Sequence, residues 1–399
     1  MNRKRAALLI ISFIINLTTM TFGRFSYTLI FSDMMRVLGE SNTQMGIFGA
    51  AIVFGYLTNS ILSGRLASRI GSGLTIQSSV LLGSISLFCL GIFKNNLLLL
   101  ISFFGIGAGA SGSYIPMIGI LNSEFRERGK VFGISMGGAG LGTMFCGYFI
   151  PLILNLSPER GYSYAWITLG GINLLTFALT IIMLKGYRKT LEKTELSADP
   201  DNHGHPYIKN RDLLITVAVY FILGFSYIIY VTFFGSYAID EMGFSRKITG
   251  AMWSLFGINT IYSGFLWGYF ADRFNKIKIA IIINVLLVSS IAMIIPVQLI
   301  TIFFISTFLF GLAFAGFVIV ITYQISSEVS EADMARVFGV ATFFHGAGQV
   351  ISNFISGFIK DLTGTYRVPF GLSSILLVIS LILLVSLLKH SKNKSTLPN

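Results

Sequence analysis

The sequence has little charge, little cysteine and no nucleotide-binding loop, and each shortage argues against a class of protein. Charged residues make up only 12% of the 399 residues, whereas 54% are hydrophobic. Cys89 and Cys146 lie in separate apolar segments, so we interpret them as small buried hydrophobes and not as a disulfide framework. No GxxxxGK[ST] pattern is present, which argues against transport driven by ATP. Period-two alternation is also absent, which argues against an outer-membrane barrel.

The apolar residues occur in blocks of about 20, the length that a helix needs to cross about 30 Å of hydrocarbon. We therefore expect an all-α, polytopic membrane protein. The basic residues 3–5 before the first block resemble a signal peptide, but the block is too long and no cleavage site follows, so we interpret it as a retained span. The predicted transmembrane helices number twelve: 6–32, 43–63, 74–93, 97–121, 130–154, 162–185, 212–238, 247–270, 278–297, 299–325, 336–359 and 368–388.

The positive charges predict the orientation of these spans. With a cytoplasmic N-terminus, the inside segments hold 21 Lys and Arg residues and the outside loops hold 7. This excess follows the positive-inside rule and places both termini in the cytoplasm. The net charge of +12 therefore indicates topology and contact with anionic lipid, and we expect no nucleic-acid partner. We expect the chain in a bacterial cytoplasmic (inner) membrane.

The chain is predicted to consist of two six-helix halves, 1–185 and 211–399, joined by a cytoplasmic linker at 186–210. This linker is the only long polar stretch, and its histidines, His203 and His205, are interpreted as part of a solvated loop and not as metal ligands.

The two halves repeat each other at an offset of about 200–206 residues, which predicts a 6+6 duplication. Three short matches carry the repeat: Phe25-Ser26-Tyr27 with Phe225-Ser226-Tyr227, Gly64-x-x-Ala67-x-Arg69 with Gly268-x-x-Ala271-x-Arg273, and Ser123-Glu124 with Ser327-Glu328.

The segment 64–71, GRLASRIG, resembles the hallmark loop between spans 2 and 3 of the major facilitator superfamily (MFS), and the segment 268–273, GYFADR, resembles its counterpart in the second half. With the twelve spans, the repeat and the central linker, the resemblance covers essentially the whole chain. The sequences FGRFSYTLIF and GFSYIIYVTFF look like the YbfB/YjiJ-like branch of this superfamily.

The resemblance implies a gate at the cytoplasmic face, in which glycines allow close helix approach and ion pairs hold one closed conformation. Ser68 replaces the usual acid of the motif, so we expect an asymmetric gate with Asp272 as its acidic member. The alternative is that these arginines only set the topology of a tight loop. The predicted gating residues are Gly64, Arg65, Arg69, Gly268, Asp272 and Arg273.

Two further family patterns are incomplete. Ile101 stands where proton-coupled members carry arginine, and no proline follows Gly142 as it does in the antiporter pattern. Both departures argue against a drug–proton antiporter.

Arg24 is a full charge inside the first apolar segment, where a charge normally faces a water-filled cavity or a partner. All 17 carboxylates lie in or beside loops, so none is placed to neutralise it in the membrane. Arg24 lies roughly 6 Å and His345 roughly 3 Å from the middle of their predicted spans, near the depth at which such transporters bind substrate. In the repeat, Arg24 corresponds to Gly224 and His345 to Ala139, so each polar residue belongs to one half only.

Polar and aromatic residues complete the predicted site. His345, Gln349, Ser352 and Ser356 form a stripe at helical spacing, which fits either a cavity wall or hydrogen bonds in a dry bundle. The resemblance implies that spans 1, 4, 7 and 10 line the cavity. The predicted substrate-binding residues are Arg24, Tyr27, Tyr114, Tyr227, Tyr230, His345 and Gln349.

These observations predict a secondary transporter of a small organic anion that works by alternating access and carries a proton on His345. Uniport or exchange stays open, because no carboxylate lies in the middle of the membrane. The sequence also permits an efflux transporter for a hydrophobic or cationic compound, or a membrane sensor that binds ligand without moving it. We expect no enzyme activity, cofactor or metal. The expected partners are lipid, the substrate and protons, and the expected state is a monomer.

Overall fold

The computed structural model describes residues 3–125, 127–185, 210–329 and 331–396, and these residues form thirteen α-helices, one π-helical turn (Tyr237–Glu241) and no strand. The first helix group consists of α1 (Arg3–Thr18), α2 (Tyr27–Leu38), α3 (Asn42–Ile70), α4 (Ser72–Ile92), α5 (Asn96–Glu124), α6 (Arg128–Leu154) and α7 (Gly161–Met183). The second helix group consists of α8 (Arg211–Ser236), α9 (Arg246–Arg273), α10 (Lys276–Ala292), α11 (Ile300–Ser327), α12 (Glu331–Thr363) and α13 (Arg367–Thr396). The predicted linker, with His203 and His205, lies outside the described residues except for Asn210.

Eight helices of the described chain are long and apolar enough to cross a membrane, namely α3 to α8, α11 and α13. The other five are shorter or more polar. The all-α architecture agrees with the expectation from composition. We call the end of the bundle with the α2–α3, α8–α9 and α12–α13 loops the outer end, because these loops are predicted to be extracellular. The opposite end, with the α3–α4 and α9–α10 loops, is the inner end.

The prediction of one continuous first helix through residues 6–32 is wrong. α1 ends at Thr18, residues 19–26 form turns, and α2 begins at Tyr27. The hydroxyl groups of Thr19 and Thr21 donate to the backbone carbonyls of Ile15 and Asn16, in competition with the helical pattern. A run of threonines can therefore interrupt an apolar helix.

The break leaves backbone groups that need other partners inside a membrane. The hydroxyl of Ser26 donates to the carbonyl of Phe22, and the hydroxyl of Thr21 also donates to the carbonyl of Ala139 on α6. The carbonyl of Phe25 accepts the indole N–H of Trp253 on α9 at 2.7 Å. The break is thus held by both helix groups, and it contains Arg24.

Glycines bring the two helix groups into backbone contact where α6 meets α9. A Cβ on Gly250 would collide with the carbonyl oxygen of Gly147, and a Cβ on Gly257 would collide with the backbone nitrogen of Met144. From the opposite side, a Cβ on Gly140 would lie 2.8 Å from the carbonyl oxygen of Gly257. Only residues without side chains allow helices to pack this closely.

A second contact of the same kind joins α3 to α12. A Cβ on Gly46 would collide with the carbonyl oxygen of Asn353, and a Cβ on Gly357 would collide with the carbonyl oxygen of Asn42. The two helix groups are therefore closely packed along two helix pairs toward the outer end.

We predict that Gly250→Leu opens the outer end. Overpacking costs about 1–3 kcal/mol, and about 1.4 kcal/mol corresponds to a tenfold change in population. The readout is a disulfide between Ser32→Cys and Ser236→Cys, whose hydroxyl oxygens lie 3.0 Å apart across the two groups. With Cys89 and Cys146 replaced by serine, the cross-linked fraction should fall in Gly250→Leu.

The control is Gly171→Leu on α7, because a Cβ at this position meets no atom within 4 Å. An equal cross-linked fraction in both leucine variants would contradict the role of the glycine contact.

Candidate functional site

Arg24 lies in the break between α1 and α2, and its guanidinium is bound by two side chains of the second helix group. Nη2 donates to the hydroxyl of Tyr227 on α8 at 2.5 Å and to Oε1 of Gln349 on α12 at 2.6 Å. Cζ also lies 5.7 Å from the ring centre of Tyr227 and 5.8 Å from that of Phe25. The break therefore positions a cation directly between the two helix groups.

No carboxylate neutralises Arg24 within the described residues, where the ion pairs all involve other side chains. Its Nε is buried and has no hydrogen-bond partner. A cation at the centre of a bilayer costs at least about 2.5–3.5 kcal/mol. A half-buried guanidinium with only uncharged partners is therefore a site whose electrostatics favour an anion.

His345 on α12 lies against two tyrosines of α8. Its ring centre is 4.0 Å from that of Tyr220 and 5.7 Å from that of Tyr227, in stacked geometry. Nδ1 lies 2.8 Å from the carbonyl oxygen of Tyr220. Because a carbonyl oxygen only accepts, we assign a proton to Nδ1, which makes Nε2 the nitrogen that can gain or lose one.

Gly224 allows this close contact between α8 and α12. A Cβ at Gly224 would collide with the carbonyl oxygen of His345 and would lie 2.9 Å from its Nδ1. Gly224 corresponds to Arg24 in the predicted repeat, and its missing side chain leaves room for His345.

The structure brings four of the seven predicted substrate-binding residues together. Arg24, Tyr227 and Gln349 are joined by hydrogen bonds, and Nε2 of Gln349 donates weakly to the carbonyl of His345 at 3.4 Å. Tyr114 on α5 lies near Tyr56 on α3.

Tyr27 and Tyr230 are packed elsewhere. The hydroxyl of Tyr27 donates to the carbonyl of Met45 at 2.7 Å, and its ring is buried against other aromatic side chains of the first helix group. The hydroxyl of Tyr230 lies 2.8 Å from that of Ser306, and its ring stacks on Phe310 at 4.0 Å. Neither tyrosine is brought to Arg24, because both hydroxyl groups are bonded within the core.

Two tyrosines near Arg24 were not predicted. Tyr56 on α3 lies near Arg24 and Tyr227, and Tyr220 stacks on His345. Helical spacing could have indicated Tyr220. It lies seven residues before Tyr227, which places it only about 20° from Tyr227 around the axis of α8. Tyr230 is about 60° from Tyr227 around the same axis. Nothing in the sequence around Tyr56 distinguishes it from other aromatic residues of apolar segments.

Phenylalanines form the apolar side of this site. The ring of Phe314 on α11 lies 5.0 Å from that of Tyr227 and 6.2 Å from that of Phe25. The ring of Phe256 on α9 lies 5.9 Å from that of Phe25. A bound molecule with one charged end could place its uncharged part against these rings.

A separate apolar cleft of about 590 Å³ lies between α1, α6, α7 and α9. It contains no charged residue, so it differs in chemistry from the surroundings of Arg24. Its lining residues are Leu17, Phe22, Leu141, Met144, Phe145, Tyr148, Ile172, Ser254 and Ile258.

The glycines of the predicted gate do not form a close helix contact at the inner end. A Cβ at Gly64 or at Gly268 would meet no atom within 4 Å. The close approach that the resemblance implies at these glycines is therefore not formed in this conformation.

The charged residues of the predicted gate are also unpaired. None of Arg65, Arg69, Asp272 and Arg273 takes part in an ion pair with another described residue. The guanidinium of Arg273 instead lies over the ring of Tyr269, at 4.0 Å from its centre. In this conformation, charge pairs between the two helix groups occur at the outer end.

Asp33 on α2 and Arg246 on α9 form the ion pair at the outer end. Nε of Arg246 donates to Oδ2 at 2.8 Å and Nη2 donates to Oδ1 at 2.5 Å, a bidentate geometry. These hydrogen bonds to Asp33 raise the pKa of Arg246. Asp33 also accepts from Arg36 at 2.5 Å. Because the Asp33 side chain is only 6% exposed, water screens the pair weakly.

Asp361 at the end of α12 binds the beginning of α3. Its Oδ1 accepts from the backbone N and from Nδ2 of Asn42, and its Oδ2 accepts from the backbone N (2.7 Å) and from Oγ1 (2.5 Å) of Thr43. A carboxylate at a helix N-terminus satisfies free N–H groups and opposes the positive end of the helix dipole. Burial raises the pKa of Asp361, but the hydrogen bonds from Thr43 and Asn42 outweigh it and bring the pKa below its ordinary value of 3.8.

Comparison with known protein families extends the resemblance seen in the motifs. The family model described as "Uncharacterised MFS-type transporter YbfB" matches residues 16–385. The chain belongs to this family. The predicted membership of the MFS and of its YbfB-like branch is thereby confirmed. The YbfB-like family is a family of multi-pass membrane transporters and not an enzyme family.

The relatives of the chain include proteins that are named for the substrates they transport. The chain is 25% identical over 369 residues to monocarboxylate transporter 12-B of Danio rerio, covering 82% of this chain and 76% of the relative. It is 24% identical over 358 residues to the hexuronate transporter of Bacillus subtilis, covering 84% of this chain and 83% of the relative. The crystal structure of the nucleoside transporter NupG has a TM-score of 0.78 at 15% identity, and it covers 97% of this chain and 100% of NupG. That likeness shows the MFS fold.

We predict that Asp361→Ala weakens closure of the outer end of this YbfB-like protein. Loss of a capping carboxylate costs about 0.5–2 kcal/mol. Spin labels on the exposed residues Glu159 and Lys247, one in each helix group, would report the opening as a longer inter-label distance. Asp361→Asn keeps one acceptor oxygen and should show a smaller change.

Acid should have the same effect on the unmutated protein. Because the closed state lowers the pKa of Asp361, its contribution is complete above the ordinary pKa of 3.8 and is lost as the pH falls through the lowered value. The distance should therefore be constant from pH 8 to about 5 and lengthen only below about pH 4. Asp361→Ala should show a smaller step, because the Asp33 carboxylate at the same end also accepts charged hydrogen bonds. An identical step in Asp361→Ala would contradict the assignment.

Proposed function

We propose that this YbfB-like protein is a secondary transporter of a small organic anion and works by alternating access. The observation that carries the proposal is the Arg24 guanidinium, which lies between the two helix groups with only uncharged partners. The named substrates of two relatives, monocarboxylates and hexuronate, are organic anions and support this choice. The protein has twelve spans in two halves, works as a monomer in the bacterial cytoplasmic membrane and has cytoplasmic termini.

Arg24 binds the charged end of the substrate. A guanidinium presents pairs of parallel N–H donors that match a carboxylate or a sulfonate. Tyr227 supplies a hydroxyl group beside it, and Phe314 and Phe25 supply an apolar surface for the rest of the molecule. The site therefore favours a small anion with an uncharged or apolar part.

Alternating access requires the contacts at the outer end to break and contacts at the inner end to form. The Asp33–Arg246 pair and the bonds from Asp361 to α3 hold the described conformation closed at the outer end, and this supports a site that opens toward the cytoplasm. When the halves rock, these bonds break. The inner gate then closes as Asp272 pairs with Arg65 and Arg69 near the end of α3.

His345 carries the proton that drives uptake of the anion. Uptake against an inside-negative potential needs such a coupled charge, and the carboxylates lie in or beside the predicted loops. The geometry that supports this role is the bond from Nδ1 to the carbonyl of Tyr220, which makes Nε2 the titrating nitrogen. The His345 ring stacks on Tyr227, which accepts a hydrogen bond from Arg24, so protonation and anion binding take place next to each other.

We predict that Arg24→Gln abolishes anion binding. Each hydrogen bond to a charged group contributes about 1.5–3 kcal/mol, so the loss of one lowers affinity roughly 10- to 150-fold. The measurement is a thermal-shift titration of purified protein with lactate, D-glucuronate, sulfoacetate and an organic cation such as tetraethylammonium. Anions should stabilise the unmutated protein, and Arg24→Gln should not respond to them.

Arg160→Gln is the control, because Arg160 is an exposed arginine away from the site. Stabilisation by the cation alone, equal in the unmutated protein and in Arg24→Gln, would contradict the anion proposal.

We predict that His345→Gln separates binding from coupling. Glutamine keeps a hydrogen-bond donor toward the carbonyl of Tyr220 but cannot titrate. In proteoliposomes, an inward proton gradient should stimulate uptake of the anion found by thermal shift several-fold in the unmutated protein and should not stimulate it in His345→Gln. Affinity for the anion should remain within about threefold. Equal stimulation in both proteins would remove His345 from proton coupling and leave exchange or uniport.

One observation favours a second candidate function, the transport of a hydrophobic compound. The apolar cleft of about 590 Å³ beside α6 and α9 has room for such a molecule and contains no charge. This candidate predicts export of a lipophilic dye that Arg24→Gln leaves unchanged and Met144→Trp reduces.

A further inference from the structure

The Arg24 guanidinium already uses the hydrogen atoms that a carboxylate needs. It has five N–H donors, and a planar anion binds in bidentate geometry to one of two edges, Nε with Nη2 or Nη1 with Nη2. Both edges include Nη2. The two N–H groups of Nη2 are directed to Tyr227 and Gln349, at 2.5 and 2.6 Å. A bidentate anion must therefore displace at least one of these two side chains.

The buried Nε limits the choice of edge. Nε is inaccessible to solvent and has no partner, whereas Nη1 is not among the buried unpartnered atoms of the described residues. The Nη1–Nη2 edge is therefore the one that an incoming anion meets first.

Tyr227 and Gln349 differ in what they can do when the anion arrives. A tyrosine hydroxyl is both donor and acceptor, so Tyr227 can turn its O–H toward an anion and remain in the site. The Oε1 of Gln349 is an acceptor only, and it would face the oxygen atoms of the anion at close range. The amide is also weakly anchored, since its Nε2 reaches the carbonyl of His345 at only 3.4 Å.

We propose that Gln349 is an internal stand-in for the substrate: its amide oxygen occupies Arg24 until the anion displaces it. The role rests on the proposed transport of an organic anion and names the side chain that sets its affinity. Gln349 belongs to α12 and Arg24 to the first helix group, so the exchange of one acceptor for another takes place at the interface that must rearrange during transport. An uncharged stand-in satisfies the cation without binding it as strongly as a carboxylate would.

The stand-in role predicts that a mutation in the binding site raises the affinity for the anion. Gln349→Met has nearly the same volume but no acceptor for Arg24, so the anion no longer competes for Nη2. Affinity for whichever of lactate, D-glucuronate and sulfoacetate binds the unmutated protein should rise roughly tenfold, the equivalent of one hydrogen bond to a charged group. The measurement is the dissociation constant from isothermal titration calorimetry in detergent.

Gln349→Glu tests the same role, with the opposite expected change in affinity. A carboxylate in place of the amide becomes a covalently attached anion for Arg24, so affinity for the same probe should fall by at least about a hundredfold. The melting temperature of this variant without added anion should be equal to or above that of the unmutated protein. That readout shows that the loss of binding does not arise from a misfolded protein.

Ser352→Ala is the matched control on the same helix face. The Ser352 hydroxyl donates to the carbonyl of Phe225 and does not contact Arg24. The affinity of the Ser352→Ala variant for the probe should stay within about twofold of the affinity of the unmutated protein.

The outcomes separate this role from the proposed function. Binding that Arg24→Gln abolishes but Gln349→Met weakens or leaves unchanged overturns the stand-in role alone, because Gln349 would then be an ordinary ligand of the anion or irrelevant to it. Gln349→Glu with unmutated affinity also overturns it. If none of the three anions binds the unmutated protein, the anion proposal fails and the stand-in role fails with it.

Discussion

The hydrogen bonds of Arg24 are the interaction on which the rest of the structure depends. A full positive charge lies in a break of the first apolar segment and is held by Tyr227 and Gln349 of the other helix group. Uncharged partners hold the guanidinium in place without cancelling its charge. The same contact therefore joins the two groups of helices and creates the field that favours an anion between them.

The bundle is closed at the end where the two helix groups can approach each other closely. Glycines allow backbone contact between α6 and α9 and between α3 and α12. Asp33, Arg246 and Asp361 add charged hydrogen bonds at the same end of the bundle. At the opposite end, Gly64 and Gly268 have open space beside them. Contacts of this kind can form at one end at a time, which is the requirement for alternating access.

Much of the fold could be predicted from the sequence, because blocks of apolar residues and short repeated motifs are signals of composition and order. The all-α architecture and the family followed from them. The break at residues 19–26 could not be predicted, because it depends on which carbonyl each threonine hydroxyl reaches. A hydropathy pattern contains no such information.

The candidate site was predictable in part. Arg24, His345 and Gln349 were found because polar residues are rare and costly in apolar segments. Tyrosines were harder to assign to the site, since a tyrosine side chain also packs well in a dry core. Tyr230 faces Ser306, whereas Tyr220 stacks on His345, and the choice between them depends on the rotation of α8. The open space at Gly64 and Gly268 was not predictable, because the motif indicates which residues can approach and not whether they do.

The central claim is that the counter-ion of Arg24 is the transported molecule. The most direct test is counterflow in proteoliposomes loaded with unlabelled anion, with labelled lactate, D-glucuronate or sulfoacetate outside. The claim predicts transient accumulation of one of these labels by the unmutated protein. Arg24→Lys, which keeps the charge but loses the paired donors, should accumulate it far more slowly, and Arg24→Gln should not accumulate it at all. Counterflow of the same anion at the same rate in Arg24→Gln would contradict the claim.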